Sequence, residues 1–254
     1  MMGPGDPTLS AELRVEGLAK RFGGVRVFQD LSFRLGPGEV LGVIGPNGAG
    51  KTTLINVICG QLPPSAGHVF LGKSDITGRS PHAVSGMGLV RSFQQTNIFR
   101  SATVRENVAR AIRFSGRGQE SWSRVEPLLQ EFDLVSRLDE EGDKLPYGLQ
   151  KMLGLVMAYA TQPKVLLLDE PAAGLEHRER ARIDDFLRHA RLIQGCSVLI
   201  VEHDMDLIRR LCPRILVIDA GAILAEGNPV EVLVRPDVIR AYLGSEDEEA
   251  GGRC

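Results

Sequence analysis

Four short segments of this chain are apolar almost throughout: VLGVIG at 40–45, KVLLLDEP at 164–171, CSVLIVEHD at 196–204 and RILVIDAG at 214–221. Each ends in turn-forming or acidic residues. Continuous apolar runs, as opposed to alternating ones, predict strands covered on both faces, as in parallel sheets. Helical spacing fills the gaps between them. TTLINVICG at 52–60 stops at Gly60, HRERARIDDFLRHARL occupies 177–192, and MDLIRRL occupies 205–211. Strand followed by helix, repeated, predicts a doubly wound α/β core.

Two stretches depart from that rhythm. Residues 11–39 alternate more strictly (LRVEGL, LSFRL) and hold turn glycines, which predicts antiparallel strands at the edge. Residues 96–160 have little strand character, and VRENVARAI, RVEPLLQEF and KMLGLVMAYA all read as helices. A small helical lobe inserted into the α/β core is expected. The low-complexity patch FSGRGQESWS at 114–123 is expected to be a loop within that lobe. The predicted division is a core of 11–95 and 158–244, a helical subdomain of 96–157, and disordered tails at 1–10 and 245–254.

Composition narrows the classes. With 254 residues, 43% of them hydrophobic, the chain can bury a full core. A net charge of −2 with mixed signs leaves no basic footprint for nucleic acid. The arginines of 177–192 are interleaved with Glu179, Asp184 and Asp185, which reads as a solvated face. Cys59, Cys196, Cys212 and Cys254 form no metal-type spacing, and three of them are expected near the core, a usage that fits a reducing cytosol. The N-terminus has no signal-peptide pattern, and no apolar run approaches the ~20 residues of a membrane span.

The chemistry is concentrated in two places. GPNGAGKT at 45–52 follows a strand and opens a helix, the context a phosphate-binding loop requires. Gly45, Gly48 and Gly50, with Pro46, Asn47 and Ala49 between them, would turn backbone N–H groups onto phosphates, and the helix N-terminus adds its dipole. Lys51 is placed for the β- and γ-phosphates, Thr52 for Mg²⁺, and Thr53 for a further phosphate contact. VLLLDE at 165–170 supplies the complement: Asp169 as a Mg²⁺ partner and Glu170 as the group that orients attacking water. A carboxylate in that position separates hydrolases from small-molecule kinases, in which a substrate hydroxyl replaces the water.

From about residue 13 to 244 the arrangement resembles the ATP-binding cassette (ABC) family. The resemblance implies an α/β P-loop NTPase (RecA-like) parallel core with an antiparallel β edge and an inserted helical subdomain. It also implies further site residues. Phe22 in KRFGG matches an adenine-stacking aromatic residue, and Gln94 in VRSFQQ matches the glutamine that senses γ-phosphate and metal. His203 in LIVEHD matches a histidine that contacts γ-phosphate, and PAAGLE at 171–176 matches the loop that crosses the dimer interface. Leu145, Pro146, Tyr147 and Gly148 stand at the signature position, which binds the ATP held by a partner subunit. LPYGL differs from the usual LSGGQ: Pro146 removes a hydroxyl and Leu149 replaces glutamine. Two unequal ATP sites follow, with the weaker one completed by this signature.

Wording such as RSFQQTNIFRSATVRENV, VLIVEHDMDLI and DVIRAYLG is similar to the ATPase subunits of importers for branched-chain and other hydrophobic amino acids, with urea and amide importers sharing much of it. That resemblance implies a second ABC ATPase subunit as partner (a heterodimer in preference to a homodimer), two membrane permeases, and indirectly a solute-binding protein. It places the protein peripherally on the cytoplasmic face of the membrane. The stretch 107–145 is shorter than in many larger-type subunits, leaving the subunit type open. A soluble ABC protein acting on ribosomes or DNA is a competing class, disfavoured by a single cassette without heptads; a kinase or GTPase is disfavoured by Gln94, His203 and the acidic pair.

Overall fold

The computed structural model describes residues 11–92, 98–114 and 120–242. Six strands form the main sheet. They are β3 (Val40–Ile44), β6 (Leu89–Ser92), β7 (Val165–Asp169), β8 (Ser197–Val201), β9 (Arg214–Asp219) and β10 (Ala222–Gly227), in the order β10-β9-β3-β8-β7-β6. The last five of these are parallel, and β10 is the antiparallel edge. The four apolar runs are β3, β7, β8 and β9, buried almost throughout. Their side chains divide between two cores. Val165 and Leu167 face one, Leu166 and Leu168 the other, as the two-residue period of a strand requires.

The antiparallel strands expected near the N-terminus are present as β1 (Leu13–Phe22) and β2 (Val25–Leu35). They pair with each other and, with β4 (Ala66–Leu71) and β5 (Ser74–Asp75), make a sheet of their own in the order β2-β1-β4-β5. Leu13, Val15, Phe28 and Phe33 from that sheet share a core with Leu41 and Val43 of β3 and with Leu54, Ile55 and Ile58 of α1 (Lys51–Ile58). The helix that opens the phosphate loop is therefore sandwiched between two sheets. A short helix α2 (Pro81–Gly86), capped by Ser80, leads into β6.

The opposite face of the main sheet carries α3 (Val104–Phe114), α4 (Glu120–Glu131), α5 (Tyr147–Ala160), α6 (His177–Arg188) and α7 (Met205–Leu211); α8 (Pro229–Val232) follows β10. Helices α3, α4 and α5 pack around Val108, Leu128, Phe132, Met152 and Val156, and this cluster runs on into the core beneath α6. The start of α3 is fixed by a reciprocal cap: Glu106 N donates to the Thr103 hydroxyl, and Thr103 N donates to the Glu106 carboxylate. Fully buried Asn107 donates to the carbonyls of Phe99, Ala102 and Thr103 and accepts from Phe99 N, so every polar atom of its amide is used to fold residues 99–103.

One local expectation is corrected. Residues 120–123 of the low-complexity patch are helical, the first turn of α4, because the apolar face of that helix reaches the lobe core and outweighs weak local propensity. Both expected tails, and Cys254, lie outside the described residues; Cys59, Cys196 and Cys212 are buried, as expected.

Candidate functional site

The loop between β3 and α1 has the geometry its glycines demand. Gly45, Gly48 and Gly50 take φ values of 152°, 78° and 96°, and Gly50 is the left-handed N-cap of α1. A Cβ at Gly45 would lie 2.0 Å from the Ile218 carbonyl oxygen of β9, so no other residue fits there without moving the sheet. Lys51 is 6% exposed, and its ammonium donates to the Gly45 and Pro46 carbonyls at 2.7 and 2.9 Å, curling over the loop. Burial lowers its pKa from the ordinary lysine value, and the Glu170 and Asp169 carboxylates partly offset this. Thr52 is exposed at the helix start and Thr53 half-buried.

Asp169 ends β7, beside β3's neighbour β8, and is 3% exposed. Its Oδ2 accepts from Arg91 Nη2 at 2.6 Å. The next residue, Glu170, has left the strand with φ 49°, a conformation that costs a non-glycine residue about 1–3 kcal/mol. Surrounding bonds enforce it. Glu170 N donates to the Val201 carbonyl at 2.8 Å, and Lys151 Nζ donates to the carbonyls of Glu170 and Pro171 at 3.2 and 3.1 Å and to that of Ala173. Held this way, Glu170 Oε1 lies 2.9 Å from His203 Nε2.

Two buried charges clamp the segment that follows. Lys151 reaches it from α5; Glu202, next to His203, accepts from Ala172 N at 2.7 Å. Burial pushes the Lys151 ammonium down, with Glu202 and Glu170 opposing the shift. Burial pushes the Glu202 carboxyl up, against N–H donation from Ala172, His203 and Asp204. Lys151, Glu202 and Arg91 were not picked out from the sequence. A lysine inside the apolar run of α5 and a glutamate ending a buried strand are the signals that could have found the first two.

Lys51, Asp169, Glu170 and His203 thus meet at the C-terminal edge of the parallel sheet, where α/β proteins place ligands, with Thr52 next to Lys51 in the first turn of α1. The signature residues are elsewhere. Leu145 is buried, Pro146 is the N-cap of α5 without a side-chain bond, and Tyr147 is half-exposed. A Cβ on Gly148 would meet the Glu179 carboxylate of α6 at 1.9 Å, and one on Gly174 the Tyr147 ring at 2.9 Å. Leu149, at 9% exposure, belongs to the lobe core. Phe22, 48% exposed, lies at the β1–β2 tip with the Lys20 ammonium 4.8 Å from its ring. Gln94 lies outside the described residues.

The oxygen donors fit a hard cation such as Mg²⁺, with one hydroxyl at Thr52 and one carboxylate at Asp169. Among the described residues no cluster of three or more His, Cys, Asp or Glu could hold a metal by itself. Few protein ligands, with phosphates and water completing the shell, is the usual Mg²⁺ pattern in nucleotide sites. An apolar groove of about 340 Å³ opens between β6, α3 and α5, lined by Val90, Phe99, Ala111, Phe114 and Met157 and bordered by Arg91 and Lys151 of the site. The Arg110 guanidinium lies over Phe99 at 4.7 Å. No helix among the described residues is long and apolar enough to cross a membrane.

Comparison with known proteins gives a consistent family. A model described as ABC transporter matches residues 28–173, and one described as branched-chain amino acid ATP-binding cassette transporter matches residues 222–248. The high-affinity branched-chain amino acid transport ATP-binding protein LivG of Escherichia coli K12 is 37% identical, covering 91% of this chain and 97% of LivG. BraF of Pseudomonas aeruginosa, which carries the same description, is 34% identical over the same shares. The ADP form of MJ1267, an ATP-binding cassette of an ABC transporter, superposes with a TM-score of 0.81 at 30% identity, over 92% of this chain and 99% of that one.

Proposed function

Since the chain belongs to the ABC transporter family and is its nucleotide-binding ATPase, we propose that it powers import of branched-chain or other hydrophobic amino acids. The observation that carries the mechanism is the Glu170–His203 pair at 2.9 Å, set beside the phosphate loop by a left-handed backbone at Glu170. The similarity to LivG and BraF, and the C-terminal match, support the solute class.

In this reading the backbone N–H groups of 47–53 cradle the phosphates, Lys51 leaves its carbonyl partners for the β- and γ-phosphates, and Thr52 and Asp169 would hold Mg²⁺. The metal, when bound, neutralises developing phosphate charge. Glu170 polarises the attacking water while His203 fixes the carboxylate and faces the γ-phosphate. Phe22 stacks on adenine, and Gln94 reports on the γ-phosphate. Leu145, Pro146, Tyr147 and Gly148 complete the ATP site of a second, different ATPase subunit, and that site is the weaker one. The apolar groove beside α3 and α5 receives a permease helix, and the protein works peripherally on the cytoplasmic face of the membrane. Two permeases, and through them a solute-binding protein, complete the assembly.

The test is purification from detergent-solubilised membranes with a tag on this chain. Two hydrophobic membrane subunits and a second cassette are expected to co-purify. Recovery of ribosomes or DNA without membrane subunits would overturn the transport assignment.

A further inference from the structure

The carboxylate assigned to the metal is already engaged by a cation. Arg91 is the third residue of β6 and pairs in register with Leu167, so its side chain runs forward along β7 to Asp169. The two side chains are 8% and 2% exposed, and Nη2 lies 2.6 Å from Oδ2. The guanidinium does not depend on Asp169 for its place. Nη1 donates to the amide oxygens of Asn56, on α1, and of Gln61 at 2.8 Å, both of them neutral acceptors. Asn56 is one turn beyond Thr52 on the same helix, so the arginine is anchored to the element that carries the other metal-facing oxygen.

Glu170 is engaged with His203, and Lys51 faces both carboxylates. With Arg91 neutralising Asp169, the nucleotide-free site presents no net anionic oxygen cluster. A buried cation within hydrogen-bond distance competes directly with any second cation for the same carboxylate.

We propose that Arg91 is a built-in counter-cation for Asp169 that keeps the nucleotide-free protein from taking up a divalent metal, so that Mg²⁺ enters with ATP. The proposal rests on Asp169 being the metal partner. In it Arg91 is a positioning residue: it touches neither ATP nor the attacking water, and it acts through the carboxylate it holds.

The experiment uses Mn²⁺ as the probe, read by electron paramagnetic resonance on nucleotide-free protein. Wild type is expected to bind Mn²⁺ weakly. Arg91→Gln should bind one Mn²⁺ at least about tenfold more tightly, because a unit charge at contact distance has been removed. Arg91→Lys, which keeps a charge there, should stay closer to wild type. Adding Asp169→Asn to Arg91→Gln should abolish the gain. Binding of a fluorescent ATP analogue in EDTA reports that each variant is folded. Should Arg91→Gln fail that check, Asn56→Ala removes the anchor and leaves the ion pair, and a smaller gain in the same direction is expected. Mn²⁺ affinity equal to or below wild type in whichever variant folds would overturn the proposal. A separate arm measures Mn²⁺ retained with ATP in wild type and Asp169→Asn. No difference there would remove Asp169 as metal partner, whereas a difference combined with unchanged nucleotide-free binding would remove only the role of Arg91.

Discussion

Restoring the usual letters of LPYGL separates two roles inside one five-residue motif. Leu149 is 9% exposed in the lobe core, so Leu149→Gln removes a buried aliphatic side chain, worth ~1.5–3 kcal/mol, and buries an amide at a further cost of about 1–3 kcal/mol. A loss of roughly 3–5 kcal/mol is expected in urea denaturation, with Leu149→Met costing under about 1.5 kcal/mol as a control. Pro146→Ser should behave differently. Pro146 is exposed and caps α5 without a side-chain bond. A serine gains a cap of about 1 kcal/mol and gives up the ~0.4–1 kcal/mol that proline contributes by restricting the unfolded chain, so stability should be nearly unchanged. In the proposed assembly the new hydroxyl would face the partner's ATP, where a bond to phosphate of ~1.5–3 kcal/mol corresponds to about ten- to hundredfold in affinity. The assay is nucleotide affinity and ATPase rate of the assembled pair beside the melting curve of this chain. A Leu149→Gln protein that loses less than about 1 kcal/mol, or a Pro146→Ser pair with unaltered affinity, would refute the reasoning.

Four more outcomes are expected. Asp204 caps α7 by accepting from Leu207 N and Asp206 N and pairs with Arg180 at 2.6 Å, so Asp204→Ala should cost about 1 kcal/mol by thermal melting, and Asp204→Asn less. Those N–H groups, chiefly that of Leu207, hold the Asp204 carboxyl below its ordinary value of 3.8, so its ionic contribution is complete above that pH and is lost as pH falls through the depressed value; the gap between wild type and Asp204→Asn should close in acid. Cys212, pushed by burial up to about 12, and Cys196, pushed further, should resist a thiol reagent at neutral pH until the protein is unfolded. Gly148→Ala drives a Cβ into the Glu179 carboxylate that caps α6, and should lower the melting temperature while leaving ATP binding to this chain's own loop intact.

What was legible in the sequence is what is local. The phosphate loop is a strand (Val40–Ile44), a glycine turn and a helix (Lys51–Ile58) in immediate succession, so its backbone geometry is written in its residue types. The same holds for Asp169 and Glu170 at the end of an apolar strand and for His203 after the next. Groups that act across the fold were not legible. Arg91 and Asp169 lie 78 positions apart, and Lys151 reaches carbonyls about twenty positions away. Nothing in the spacing of either lysine or arginine fixes such a partner. The separate antiparallel sheet was half legible: alternation gave the strands, but their pairing with β4, across register shifts, is a tertiary choice. Leu149 read as an odd substitution in a motif because burial, which explains it, depends on α5 packing into the lobe.

The central claim is that hydrolysis at this site powers uptake, and Glu170→Gln tests it most directly. Cells lacking the gene, complemented with wild type or with the variant, are assayed for uptake of radiolabelled leucine at low concentration. Wild type should restore uptake. The variant, which keeps the side chain's shape but not its charge, should bind ATP, assemble with its partners and lose about 10²–10⁴-fold in turnover, leaving uptake at the level of the deletion. Full uptake supported by Glu170→Gln, or uptake unaffected by the deletion itself, would contradict the account.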